Sequence, residues 1–137
     1  DNASSRGLGD VYKRQDHGGL HESYGFRFTS ADKVIVFSGD TGPSDILESY
    51  AKDADILVHE VYSYAGFLNK TPDWQKYHKG HHTSTLELGE IAKRIKPNKL
   101  VLSHILFWGS TPDEIYKEIT SVYDGEVIVA EDLMIIN

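Results

Sequence analysis

The sequence predicts an α/β domain, and three observations carry that reading. Short apolar runs bounded by turn residues recur at 34–38 (VIVFS), 55–58 (DILV), 99–103 (KLVLS) and 126–130 (EVIVA), as buried strands require. Segments with helical spacing and helix-start signals lie between them. The regular alternation of the two kinds is the mark of a layered α/β architecture. The 137 residues suit one domain, and 39% hydrophobic with 26% charged residues is a globular composition.

Residues 1–15 (DNASSRGLGDVYKRQ) show neither helical nor strand periodicity. They read as an arm, disordered or non-native: SSRGLGDVYKRQ resembles a translated sequencing-adapter read-through, and such segments are kept out of fold reasoning. Residues 16–137 are the expected domain. Residues 24–29 (YGFRFT) alternate aromatic and polar side chains, SADK makes a turn, and VIVFS returns, so a hairpin is expected. A helix follows from about Ser44 to Lys52, with Pro43 suited to its first turn. After DILV, residues 62–82 read as a long irregular stretch, rich in aromatics and poor in aliphatics.

The run TSTLELGEIAKRI predicts a helix with an apolar face from Leu86, Leu88, Ile91, Ala92 and Ile95. Ser84 and Glu87 have capping-box spacing, Lys93, Arg94 and Lys96 complement the C-terminal dipole, and Pro97 stops the helix. Strand 99–103, a helix from about Thr111 to Tyr123 opened by Pro112, strand 126–130 and a short strand at 133–136 complete the chain.

Composition narrows the function classes. A formal charge of −7 argues against broad, sequence-independent nucleic-acid binding, which needs a basic surface. The absence of cysteine removes disulfides and cysteine–zinc sites, and fits a reducing, cytoplasmic compartment. No run reaches the roughly 18 apolar residues of a membrane-spanning helix.

The chemistry sits at strand ends. VIVFS runs into Gly39-Asp40, DILV into His59-Glu60, and KLVLS into His104. In layered α/β folds ligands bind at such ends, on loops held by a rigid sheet. Imidazole and carboxylate without thiolate suit Zn²⁺, with Mn²⁺ or Fe as alternatives. Taken singly, each residue has a plainer reading: Asp40 precedes a helix and can cap it, and a lone histidine after a strand is commonly structural. Their joint occurrence, with His81-His82 at a helix entry, favours a site.

The runs YGFRF, SGDTGP, ILVHE, HHTS and LVLSH together resemble the second half of metallo-β-lactamase-fold hydrolases, in the ribonuclease Z and arylsulfatase-like branch. The resemblance implies the C-terminal half of an αββα sandwich, a mixed sheet with flanking helices. It implies two divalent ions and hydrolysis of a small-molecule ester or phosphodiester, with RNA a possible substrate. Residue by residue, Asp40 matches a bridging metal ligand, His104 the last histidine ligand, and His17, preferred over His21, the histidine ligand before the YGFRF strand. His82 matches a histidine that assists proton transfer to the leaving group. His59 and Glu60 match groups that orient the ligands.

Tyr24, Phe26 and Phe28 are read as core. Phe107 and Trp108 either line the cleft or pack beneath it, and Trp74 and His78 are minor candidates for substrate contact. The family's His-x-His-x-Asp-His motif is absent, so the resemblance implies a fragment that is inactive alone and, with an apolar sheet face uncovered, poorly soluble or molten. A homodimer is left open. The competing reading is a non-catalytic α/β half-domain in which Gly39–Pro43 at a helix start binds an anion or nucleotide.

Overall fold

The computed structural model of the chain describes residues 2–5 and 8–14 at the level of backbone strands and residues 23–137 in full. Among the described residues seven strands form one sheet in sequence order: β1 (Asn2–Ser5), β2 (Leu8–Arg14), β3 (Tyr24–Thr29), β4 (Val34–Phe37), β5 (Ile56–Tyr62), β6 (Lys99–Leu106) and β7 (Val127–Val129). Pairing is antiparallel from β1 to β4 and parallel from β4 to β7, so the sheet is mixed. Five helices are described: α1 (Asp45–Ala51), α2 (Tyr64–Leu68), α3 (Pro72–His81), α4 (Thr85–Ile95) and α5 (Pro112–Thr120). No helix among the described residues is long and apolar enough to cross a membrane.

The β3–β4 hairpin closes at the predicted turn, where the Ser30 amide donates to the Lys33 carbonyl at 2.9 Å. Beyond β4 each strand runs parallel to its predecessor. A parallel connection requires a crossover, and α1, the α2–α4 run and α5 supply the three crossovers. Because β4, β5 and β6 run the same way, their C-terminal ends meet on one edge.

The core lies between the sheet and α1, α4 and α5. Val36, Leu57 and Leu100 share a row across β4, β5 and β6 and pack with Leu47, Leu88 and Ile115, all at most 1% exposed. On α4 the buried stripe is Leu88, Ile91, Ala92 and Ile95, at i, i+3, i+4 and i+7, while Leu86 stays at its margin. Both capping boxes are complete: Ser84 with Glu87 on α4, and Thr111 with Glu114 on α5.

The opposite face of the sheet carries the row Phe26, Phe37, Val58 and Val101. Phe28 stacks on Phe26 at 6.3 Å and meets Phe37 edge-on at 5.9 Å. Tyr24, Phe26 and Phe37 remain exposed. The expectation that Tyr24 and Phe26 are core is therefore corrected: strand alternation puts Arg27, which donates to the Tyr50 and Lys52 carbonyls, on the α1 side and the aromatics on the other.

Three further expectations change. Residues 1–15, read as structureless, contain β1 and β2, and β2 pairs with β3 from Gly9↔Thr29 to Arg14↔Tyr24. Ladder bonds use main-chain groups, so a strand can add to an edge without any side-chain periodicity. Residues 62–82, read as irregular, hold α2 and α3. α3 buries no residue, which explains the missing apolar stripe, although Pro72 at its start and the basic residues of its last turn were helix signals in plain view. Residues 133–136 are not a strand: Leu133 has φ of 64° and is fully exposed, and the Met134 amide closes a turn onto the Glu131 carbonyl.

Gly89 gives the helix layer a test. In an exposed helix Gly→Ala is stabilising by about 1 kcal/mol. Here a Cβ would lie 2.8 Å from Val122 Cβ on the chain leaving α5. Gly89→Ala is expected to destabilise by roughly 1–3 kcal/mol, read as a lower urea midpoint.

Candidate metal centre

The turn out of β4 aims the first candidate ligand. Gly39 has φ of +61°, and a Cβ there would sit 2.4 Å from the Tyr24 carbonyl oxygen, so only glycine passes. Asp40 follows, its own carbonyl accepting from Ser23 Oγ at 2.6 Å. Thr41 is fully buried: its amide donates to Glu60 Oε1 at 3.0 Å, and its carbonyl accepts from Thr83 Oγ1 at 2.8 Å. The loop after β4 is thus fastened both to β5 and to the segment entering α4.

β6 delivers the second candidate through an irregularity. The β5–β6 register passes from Glu60↔Ser103 directly to Val61↔Ile105, leaving His104 as the extra residue. Its φ of 44° is one that a non-glycine residue rarely adopts. Bulges of this kind re-aim a side chain, and here His104 Nδ1 comes to 3.1 Å from Asp40 Oδ1.

His82 arrives from the C-terminus of α3, where its amide donates to the His78 carbonyl. Its Nδ1 lies 2.9 Å from Glu60 Oε1. Burial alone would lower the His82 pKa, but the hydrogen bond and charge of Glu60, reinforced by Asp40, outweigh it and raise the value above the ordinary 6.5. One donor atom from each of Asp40, His82 and His104 lies within 4.8 Å of the others. The Asp40 carboxylate and the His104 imidazole are donor types that suit a divalent ion of the Zn²⁺, Mn²⁺ or Fe type, and His82 stands beside them. The centre opens on a cavity of about 550 Å³ whose apolar wall is Phe26, Phe28, Phe37 and Val58.

The remaining expected residues divide. Glu60 is nearly buried and belongs to the site through His82, and its Oε2 has no hydrogen-bond partner. His59 shares the face of Leu57, is fully buried, and donates from Nδ1 to the Glu60 carbonyl at 2.6 Å, leaving Nε2 as an unpartnered acceptor. Desolvation lowers its pKa more than the neighbouring Glu60 carbonyl and charge raise it. His17 and its alternative His21 lie outside the described residues. His81 stacks on Tyr77 at 4.1 Å, outside the cluster of donors. Trp108 packs at 5.2 Å on Tyr62 and 4.5 Å on His78, while Phe107 rests partly buried against the core. The sequence reading passed over Ser38, Thr41 and Thr83. Their signal was the small polar residues on either side of a strand-end acid and histidine, which buried loops need to satisfy their backbone.

An α/β sheet whose parallel strands bring aspartate and histidine to one edge defines a class of metal-binding domain, and the comparisons name it. No family model matches the chain. YhfI of Bacillus subtilis (strain 168), described as a probable metallo-hydrolase, is 32% identical over 108 residues, 79% of this chain and 41% of its own. Ribonuclease Z of Methanosarcina acetivorans is 34% identical over 103 residues, 74% of this chain and 32% of its own. Among solved structures the metallo-β-lactamase-fold protein YhfI superposes with a TM-score of 0.78 at 22% identity, covering 96% of this chain and 50% of that one. The short form of human tRNase Z gives 0.68 at 22% identity, covering 98% and 44%. The chain has the metallo-β-lactamase fold and is similar over most of its length to metallo-hydrolases of the branch that holds YhfI and ribonuclease Z. It spans less than half the length of the two sequence relatives.

His59 sets a pH test of opposite sign to His82. A lowered folded-state pKa means the unfolded chain takes the proton first, so stability is full above 6.5 and falls as pH drops below it. A raised value, as at His82, gives stability that is full below 6.5 and lost as pH rises through the folded pKa. Between pH 8 and 5 the urea midpoint of the His59→Asn variant is expected to fall less on acidification than that of the parent chain. Parallel profiles would show that His59 does not titrate as a buried neutral group.

Proposed function

We propose that this chain supplies part of the active site of a metal-dependent hydrolase acting on ester or phosphodiester bonds. The observation that carries the reading is the convergence of Asp40, His82 and His104 from three separate elements to within 4.8 Å. Asp40 and His104 hold divalent metal, with His17 as a further ligand, and two ions are expected, zinc first and manganese or iron as alternatives. Bound divalent ions in such sites polarise the scissile group and lower the pKa of an attacking water.

The chain's own residues do the rest. Glu60 holds His82 by Nδ1 and favours its protonated form. His82 then donates a proton to the departing oxygen, a role that needs a donor within hydrogen-bond reach of that atom. The apolar wall of Phe26, Phe28 and Phe37 keeps water from one side of the cleft. The wider comparison set supports phosphate-bearing substrates, since ribonuclease Z recurs among the sequence relatives. RNA is therefore one substrate to test beside small esters. With Asp40 and His104 the candidate ligands among the described residues, the chain is expected to be inactive without the rest of the relatives' domain.

The anion-binding alternative has less support. α1 opens with Asp45 and Glu48 in its first turn, and the Ser44 side chain already accepts from Leu47, so its start repels an anion.

The test uses a protein carrying the whole domain. Asp40→Ala and His104→Ala are expected to lose bound metal, measured by elemental analysis, together with hydrolysis of bis(p-nitrophenyl) phosphate. His82→Ala is expected to keep its metal and lose about 100-fold or more in kcat. Loss of metal in His82→Ala would instead make His82 a ligand, and an absence of bound metal in the unaltered protein would sink the hydrolase reading.

A further inference from the structure

α3 is fastened near its two ends and open along one side. Gln75 Nε2 donates to the Phe67 and Lys70 carbonyls at 3.2 and 3.1 Å, which ties the start of α3 to the end of α2. Just past its other end His82 is held by Glu60. None of the ten residues of α3 is buried. Helices of this length are marginal in water and owe their stability to packing of one face. On α3 the face formed by Pro72, Gln75, Lys76 and Lys79, at i, i+3, i+4 and i+7, borders a cavity of about 540 Å³ instead.

This cavity is separate from the one at the metal centre. The two share no lining residue among the described residues. By helical spacing Trp74, Tyr77 and His81 occupy the opposite face of α3. The walls of the cavity differ in kind. One is aromatic: Tyr62 stacks on Phe67 at 5.2 Å with 29° between planes, and Tyr64 on Phe67 at 6.2 Å with 20°. The α3 wall is cationic. Lys76 and Lys79 are exposed, and among the described residues neither is in an ion pair, although the chain carries a formal charge of −7. The acid on the α4 side, Glu87, is already engaged: its Oε2 accepts from the Ser84 amide at 3.0 Å and from the Ser84 hydroxyl at 2.7 Å.

A concave site with an apolar wall and a few convergent polar groups is the usual form of a small-molecule site, and the volume lies in the range such sites have. We propose that this cavity binds a small aromatic carboxylate, its ring against Tyr62, Tyr64 and Phe67 and its carboxylate meeting Lys76 and Lys79. The ring gains by leaving water for an aromatic wall. The head supplies the negative charge that two lysines one turn apart lack. The occupant would also give the outer face of α3 something to pack on. The proposal goes beyond the hydrolase reading and does not involve the metal centre.

The test uses a protein carrying the whole domain, stripped of metal by dialysis so that no carboxylate is held by an ion, and reads Kd by titration calorimetry. The probes are 2-naphthoate, its uncharged analogue 2-naphthamide, and acetate. 2-Naphthoate is expected to bind about tenfold more tightly than 2-naphthamide, the scale of two exposed charge contacts, and acetate is expected not to bind measurably. Lys76→Gln with Lys79→Gln should bring 2-naphthoate down to the 2-naphthamide level and leave 2-naphthamide unchanged, which a misfolded variant would not. Lys93→Gln with Lys117→Gln, the same charge change elsewhere, should alter neither. The proposal is overturned by no binding of 2-naphthoate, by equal binding of the two naphthyl probes, by acetate binding as well as 2-naphthoate, or by a 2-naphthoate affinity that Lys76→Gln with Lys79→Gln leaves unchanged or that both lysine pairs lower alike. Metal content does not enter, so the outcome is independent of the hydrolase reading.

Discussion

The Glu60 carboxylate is the constraint on which the site depends. Burying a charge is costly unless hydrogen bonds and an opposite charge compensate for it. Glu60 Oε1 accepts from the Thr41 amide and pairs with His82, while the Glu60 amide donates to Ser38 Oγ at 3.1 Å. One side chain on β5 thereby fixes the loop after β4 and the segment between α3 and α4. The Thr83 hydroxyl on the Thr41 carbonyl closes the same ring of contacts from the other side. Truncating one member of such a network strands the others in a site of low polarisability, so it stands or falls as a unit.

The two candidate ligands that flank this network, Asp40 and His104, are delivered by backbone conformations that ordinary residues avoid. Gly39 passes beneath the Tyr24 carbonyl, and His104 is the surplus residue of a bulged strand. Both depart from regular β structure where a parallel sheet ends, and each departure turns a side chain from its strand face to the shared edge. Strain at these points is sustained because β4, β5 and β6 are pinned by the core row of Val36, Leu57 and Leu100. The stable layer and the strained edge are thus parts of one arrangement.

Much of this was legible in the chain. Apolar runs bounded by turns marked β4, β5 and β6, cap spacing marked α4 and Pro112 marked α5, because these signals arise from local physics. Asp40, Glu60 and His104 could be picked out because strand ends are where α/β sheets place chemistry, and His82 because the HHTS run enters a helix. Three things were not legible. α3 has no buried face and so no periodicity to detect. His59 and Glu60 look equivalent side by side, yet strand alternation sends their side chains to opposite faces, and it is the acid that pairs with His82. The bulge at His104 leaves no mark in KLVLSH, since it is a property of the pairing with β5 and not of either strand alone.

The order of the strands bears on how such a sheet comes into being. Each strand lies beside the one made just before it, so assembly never has to thread a distant segment between two neighbours already joined. Loop closure is confined to one crossover at a time, which keeps the entropic barrier of each step small. Asp40, Glu60, His82 and His104 follow one another along the same path, so these four side chains are brought together in sequence, the last of them when β6 docks. A chain emerging from the ribosome would bring these side chains together before β7 had left the exit tunnel.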